Sequence, residues 1–87
     1  MSEENALIFP CQFPIKAMGR VDIELDLLVL EIIQKHASIV SPSAVRTRAS
    51  KKGTYVSVTV TIEATSKQQL DAIYQELTAH PAVLAAL

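Results

Sequence analysis

Cys11, His36, His80 and Ser57 are the first side chains to weigh for chemistry, because a thiol, two imidazoles and a strand hydroxyl are the raw material of nucleophilic and metal sites. A zinc set needs ligands that converge at recognisable spacings, and Cys11, His36 and His80 show none. A cysteine–histidine nucleophile pair is equally unsupported by their positions. Ser57 lacks the flanking glycines of a nucleophile elbow and alternates with threonines, as a solvated strand face does. Lys51-Lys52-Gly53-Thr54 contains a Lys-Gly-Thr, yet it lacks the leading glycine frame of a phosphate loop and runs into a strand instead of a helix. The expectation is a chain that is not an enzyme and holds no metal or cofactor. Cys11 then reads as a small packing residue or inert thiol, and both histidines as helix-end residues.

A second constellation is basic and hydroxyl-rich. Lys16, Arg20, Arg46, Arg48, Tyr55, Ser57, Thr59 and Thr61 fall on one sheet face if the strands pair as argued below, with Met18 among them. An RNA platform of this type stacks bases on two or three aromatics, and only Tyr55 is available. What remains is a solvated face whose arginines protect an edge, a surface for a protein partner or self-association, or a site for a small anionic metabolite. Nucleic acid is an improbable partner on composition too. The net charge of -1 and pI near 6.0 create no general field for phosphates, and no polybasic run faces a membrane.

The 87 residues suffice for one domain with one core, expected over residues 9–87 behind a flexible tail over residues 1–8. A lone cysteine forms no internal disulfide, and Met1-Ser2-Glu3-Glu4-Asn5 lacks the basic start of a signal peptide, so a reducing, cytoplasmic setting is expected. The apolar run from Leu25 to Ile33 is about half of the roughly 20 residues a membrane span requires.

The elements that position these residues follow from periodicity. Residues 54–64 alternate strictly: Val56, Val58, Val60, Ile62 and Ala64 form a dry face, and Tyr55, Ser57, Thr59, Thr61 and Glu63 a wet one. Pro10 and Pro14 make residues 9–14 an extended lead-in, and a first strand is predicted from about Phe13 to Gly19. Asp22 is the expected N-cap of a helix over 23–37 with Leu25, Leu28, Val29, Ile32, Ile33 and His36 as its buried stripe. Leu27 and Leu30 fall off that stripe, to be covered by flanking residues or by a partner. Ser41-Pro42-Ser43 breaks the chain before a second strand over 44–50. A two-residue turn at Lys52-Gly53 then sets Ala49 opposite Val56, Thr47 opposite Val58 and Val45 opposite Val60. Thr65 with Gln68, or Ser66 with Gln69, forms a capping box for a second helix with Leu70, Ile73, Tyr74 and Leu77 inward, ended by His80-Pro81. Residues 82–87 complete a short last strand.

Strand, helix, strand, strand, helix, strand with short right-handed connections gives an α+β sandwich: a ferredoxin-like βαββαβ fold, sheet order 4-1-3-2, both helices on one face. Phe9-Pro10 followed by Phe13, then Lys16-Ala17-Met18-Gly19, Gln34-Lys35-His36-Ala37, Ser50-Lys51-Lys52-Gly53-Thr54-Tyr55, Ser57-Val58 and Ile62-Glu63-Ala64-Thr65 resemble the YbeD-like family of small bacterial proteins of unassigned function. The likeness runs from Phe9 to Leu87. It implies the same fold, similar in shape to small regulatory modules that bind amino acids beside metabolic enzymes, and it brings no catalytic residues. Those modules bind ligand at a glycine-containing turn after the first strand, where Gly19 is the matching position. The resulting expectation is a non-catalytic regulatory or interaction module, or else a sensor of an amino-acid-like metabolite near Gly19.

Overall fold

Alternation in β3 (Tyr55–Ala64) separates the molecule into a wet and a dry side. Val58, Val60, Ile62 and Ala64 are wholly buried, and the computed structural model, which describes residues 8–87, shows what buries them. β1 (Cys11–Arg20) lies antiparallel beside β3 with Ile15 opposite Val60 and Ala17 opposite Val58, doubling the dry surface. Two helices close it. α1 (Leu25–Gln34) contributes Leu25, Val29, Ile32 and Ile33, and α2 (Lys67–Ala79) contributes Leu70, Ile73 and Leu77. Each such aliphatic side chain contributes about 1.5–3 kcal/mol when fully buried, which makes this cluster the main source of stability.

The sheet is completed by β2 (Val45–Ala49), preceded by a 3-10 turn (Pro42–Ala44), and by β4 (Ala85–Ala86). Its order is β2-β3-β1-β4, all pairs antiparallel, which is the expected 4-1-3-2 arrangement. The β2–β3 register is the one the hydrophobic pattern demands, with Val45 opposite Val60, Thr47 opposite Val58 and Ala49 opposite Val56.

Local details depart from the sequence expectations for physical reasons. The hairpin loop spans 51–54 and is not a two-residue turn: the Gly53 amide donates to Ser50 O (3.0 Å), closing a tight turn through Lys51 and Lys52, and Gly53 takes φ 70. β1 begins at Cys11, so Pro14 stands inside the strand. Lys16 exchanges backbone bonds with Leu87, so the alternation directs the Pro14 nitrogen to the same side, beyond the end of β4, where a missing N–H costs no ladder bond. Asp22 does not cap α1. Val21 is tied to Thr54 O and the Ile23 amide to Arg20 O, which holds this segment as a turn and delays the helix to Leu25, with Glu24 at the N-cap making no side-chain cap bond. The helix also ends at Gln34, short of residue 37. Of the last segment only Ala85 and Ala86 form a strand. The Ser66–Gln69 alternative of the capping box is realised: the Gln69 amide donates to Ser66 Oγ (3.1 Å), and Gln69 Oε1 accepts from the Thr65 amide (2.7 Å). The expected tail over residues 1–8 lies outside the described residues except for Ile8.

Candidate functional site

The sheet face opposite the helices has no layer over it among the described residues, and its side chains are ordered in rows by the strand pairing. Arg46 on β2 is opposite Thr59 on β3, which is opposite Lys16 on β1. The next row is Arg48, Ser57, Met18 and, on β4, Ala85. Tyr55 and Arg20 form a third. Every residue proposed from sequence for the interaction face (Lys16, Arg20, Arg46, Arg48, Tyr55, Ser57, Thr59) is thus brought to one surface, and Thr61 extends it beside Pro14. The cations are exposed, while Ser57, Thr59 and Met18 are half-buried between them.

Two inter-strand spacings place Arg46 and Lys16 about 10 Å apart, where like charges repel by about 0.4 kcal/mol in water and less with salt. The fold bears this easily, yet the summed field favours an anion. Arg20 has a neighbour, Asp22, at 3.6 Å, an exposed pair of little energetic weight. At the far end of this face an acidic residue, Glu63, pairs with Gln12 across the strands. A shallow hollow of about 250 Å³ opens in the basic half, lined by Lys16, Met18, Arg48, Tyr55 and Ser57 among others.

Gly19, the candidate ligand-turn position, lies buried within β1 and not in the turn that follows. A Cβ there would stand 2.7 Å from Ala82 O and 3.1 Å from the Leu25 methyl carbons. Close packing of the segment before β4 and of α1 therefore accounts for the glycine.

The side chains weighed for chemistry stand on or next to different elements. Cys11, a half-buried free thiol, lines a hollow of about 350 Å³ with Pro10, Gln12, Ser38, Ile39 and Glu63. Ser57 Oγ donates to Arg48 O (3.4 Å). His80 Nδ1 accepts from the Ala82 amide (3.1 Å), a structural bond at the end of α2. His36, just past α1, is bonded through Nε2 to Glu76 Oε1 (2.8 Å), and Glu76 also pairs with Lys35. The Lys35 hydrogen bond, followed by that of His36, holds the Glu76 carboxyl below its ordinary value. This link between the helices was missed in the sequence, because its members are 40 and 41 residues apart. Tyr74 packs against the core as the α2 stripe predicts, its hydroxyl donates to Leu87 O (2.8 Å), and burial raises its pKa. No three His, Cys, Asp or Glu side chains converge as metal ligands among the described residues.

A family model described as "Protein of unknown function (DUF493)" matches residues 4–87. The chain belongs to this family. Relatives in it include a UPF0250 protein of Nitrosomonas europaea, 42% identical over 83 residues that span 95% of both chains. A UPF0250 protein of Paraburkholderia phytofirmans is 44% identical over 80 residues, covering 92% of this chain and 90% of the relative. The resemblance to YbeD-like proteins read from Phe9 to Leu87 therefore holds. Among solved structures, protein HP0495 from H. pylori superposes with a TM-score of 0.68 at 19% identity, covering 99% of this chain and 90% of that one. The C-terminal domain of the MgtC protein from Mycobacterium tuberculosis gives 0.66 at 14%, covering 87% and 82%. At these identities the likeness is one of fold alone, the four-stranded antiparallel sheet with two helices seen in this chain. Among the described residues no helix is long and apolar enough to cross a membrane.

Proposed function

We propose that this protein is a cytoplasmic, non-catalytic interaction module that docks an acidic partner on the open face of its sheet. One observation carries the reading: strand register places Arg46, Arg48, Lys16 and Arg20 on a single face that no helix covers among the described residues. Such a face raises the encounter rate with a negatively charged surface and orients it, and its hydroxyls and Tyr55 supply neutral hydrogen bonds around the charges. Cys11 and Ser57 line different hollows, and His36 and His80 are each engaged in a structural hydrogen bond, which supports the non-catalytic part.

The test is affinity capture from the source cell with the native chain and with the Arg46→Ala, Arg48→Ala double variant, at low and raised salt. A specific protein that is retained by the native chain, lost with the variant and released by salt is the expected result. Recovery that is indifferent to both changes returns the face to an ordinary solvated surface.

A second reading, a sensor of an amino-acid-like metabolite, is favoured by the hollow beside Lys16, Arg48 and Tyr55, whose polar and cationic lining suits a small carboxylate. Calorimetric titration with amino acids and other small acids tests it, and heats that match buffer dilution would remove it.

A further inference from the structure

β2 is the edge of the sheet, and its backbone is half unused. Ser50 donates to Tyr55 O, and hydrogen-bonded pairs alternate along an antiparallel ladder, so Arg48 with Ser57 and Arg46 with Thr59 are the next bonded pairs. The N–H and C=O groups of Val45, Thr47 and Ala49 therefore point away from β3, along an edge that no described strand covers. The two sides of this edge differ in charge. Arg46 and Arg48 stand on the open face. On the helix side, Val45 borders an apolar groove of about 560 Å³ with Leu30, Ile39 and Val40, and Thr47 borders a smaller hollow that includes Ile23, Glu24 and Asp26.

We propose that the outer edge of β2 accepts an extended segment of a partner protein as an additional strand. The segment carries alternating acidic and apolar residues. Its carboxylates lie on the open face beside Arg46 and Arg48, and its apolar side chains lie over the groove at Leu30, Val40 and Val45. The inference rests on the reading of the open face as a dock for an acidic partner, and it adds the main-chain ladder that fixes the partner's direction and register. Charge complementarity chooses the occupant. Glu24 and Asp26 repel carboxylates from the helix side, so only one phase of the alternation fits. A second copy fits poorly: an antiparallel two-fold pairing centred on Arg46, Thr47 or Arg48 sets Arg46 or Arg48 against an arginine of the other copy.

The experiment is a titration of the isotopically labelled full chain with a blocked soluble peptide containing Val-Glu-Val-Glu-Val, followed by NMR and amide exchange. Saturable binding with slowed exchange at Val45, Thr47 and Ala49 is expected. Replacing both glutamates with lysine, or substituting Arg46→Ala and Arg48→Ala together, should weaken it by about tenfold or more. Thr47→Pro removes only an outward N–H, a position where an edge strand tolerates proline, and should weaken binding by about tenfold while the domain stays folded. A peptide N-methylated at the pairing residues serves the same purpose on the native protein should that variant not fold. Binding lost with the arginines but indifferent to Thr47→Pro and to N-methylation would overturn strand addition and leave the open-face reading intact. Binding that needs the edge but not the arginines would overturn the acidic occupant together with that reading. Absence of binding overturns the proposal, as does exchange protection of the edge without peptide that grows with protein concentration, which would mark a second copy as the occupant.

Discussion

Gly19 leaves room for the main chain of Ala82: a Cβ on the glycine would stand 2.7 Å from the Ala82 carbonyl oxygen. That oxygen belongs to backbone leading into β4 and cannot rotate away. Gly19→Ala is therefore expected to lower stability by about 1–3 kcal/mol through overpacking, read from the denaturant midpoint at unchanged slope. A midpoint equal to that of the native chain would contradict this packing.

Gly53 presents the opposite case. A Cβ there meets nothing within 4 Å, so any cost arises from its φ of 70 alone. Gly53→Val should cost about 1–3 kcal/mol, and Gly53→Asn much less, because asparagine tolerates the left-handed region. Equal melting temperatures for the two variants would argue against this turn geometry.

Ser66 Oγ accepts from the Gln69 amide at the start of α2. Ser66→Ala leaves that donor without its cap and should cost about 1 kcal/mol, whereas Ser66→Asp should retain most of the stability. Chemical denaturation of the pair of variants makes the comparison.

Glu76 ties α2 to the residues at the end of α1, and its carboxyl is held below its ordinary value first by Lys35 and then by His36. A depressed carboxylate stabilises the fold above its unfolded pKa, and that contribution is lost as pH falls through the folded value. Glu76→Gln should accordingly lower Tm at neutral pH, with the gap between variant and native chain closing in acid. A gap that stays constant with pH would show that the pair carries no charge-dependent stability.

Arg46 and Arg48 are exposed and lie outside the buried core cluster. Their joint replacement by alanine should change stability by no more than about 0.5 kcal/mol per site. A larger loss in thermal unfolding would mean that the arginines serve the fold and not a partner.

Layers and register are written in the residue pattern. Alternation in residues 55–64 admits one dry face, and a slip of one residue at β2 would drive Arg46 and Arg48 into the core, so the pairing is legible from the pattern alone. The gathering of the basic side chains on the open face followed from that register. Ser66 and Gln69 likewise announced a helix start through spacing alone.

Tertiary structure decided what local pattern leaves degenerate. Asp22 has the chemistry of an N-cap, but the bond from Val21 to Thr54 fastens the segment to the end of the sheet and moves the helix start to Leu25. Leu27 and Leu30 look alike in sequence. Packing separates them, leaving Leu27 55% exposed while Leu30 lies against the core and borders the groove beside Val45. The pairing of Glu76 with Lys35 and His36 and the fit of Gly19 against Ala82 join residues far apart in the chain. Periodicity reports which side of an element faces inward, and only the folded chain determines which distant atom it meets there.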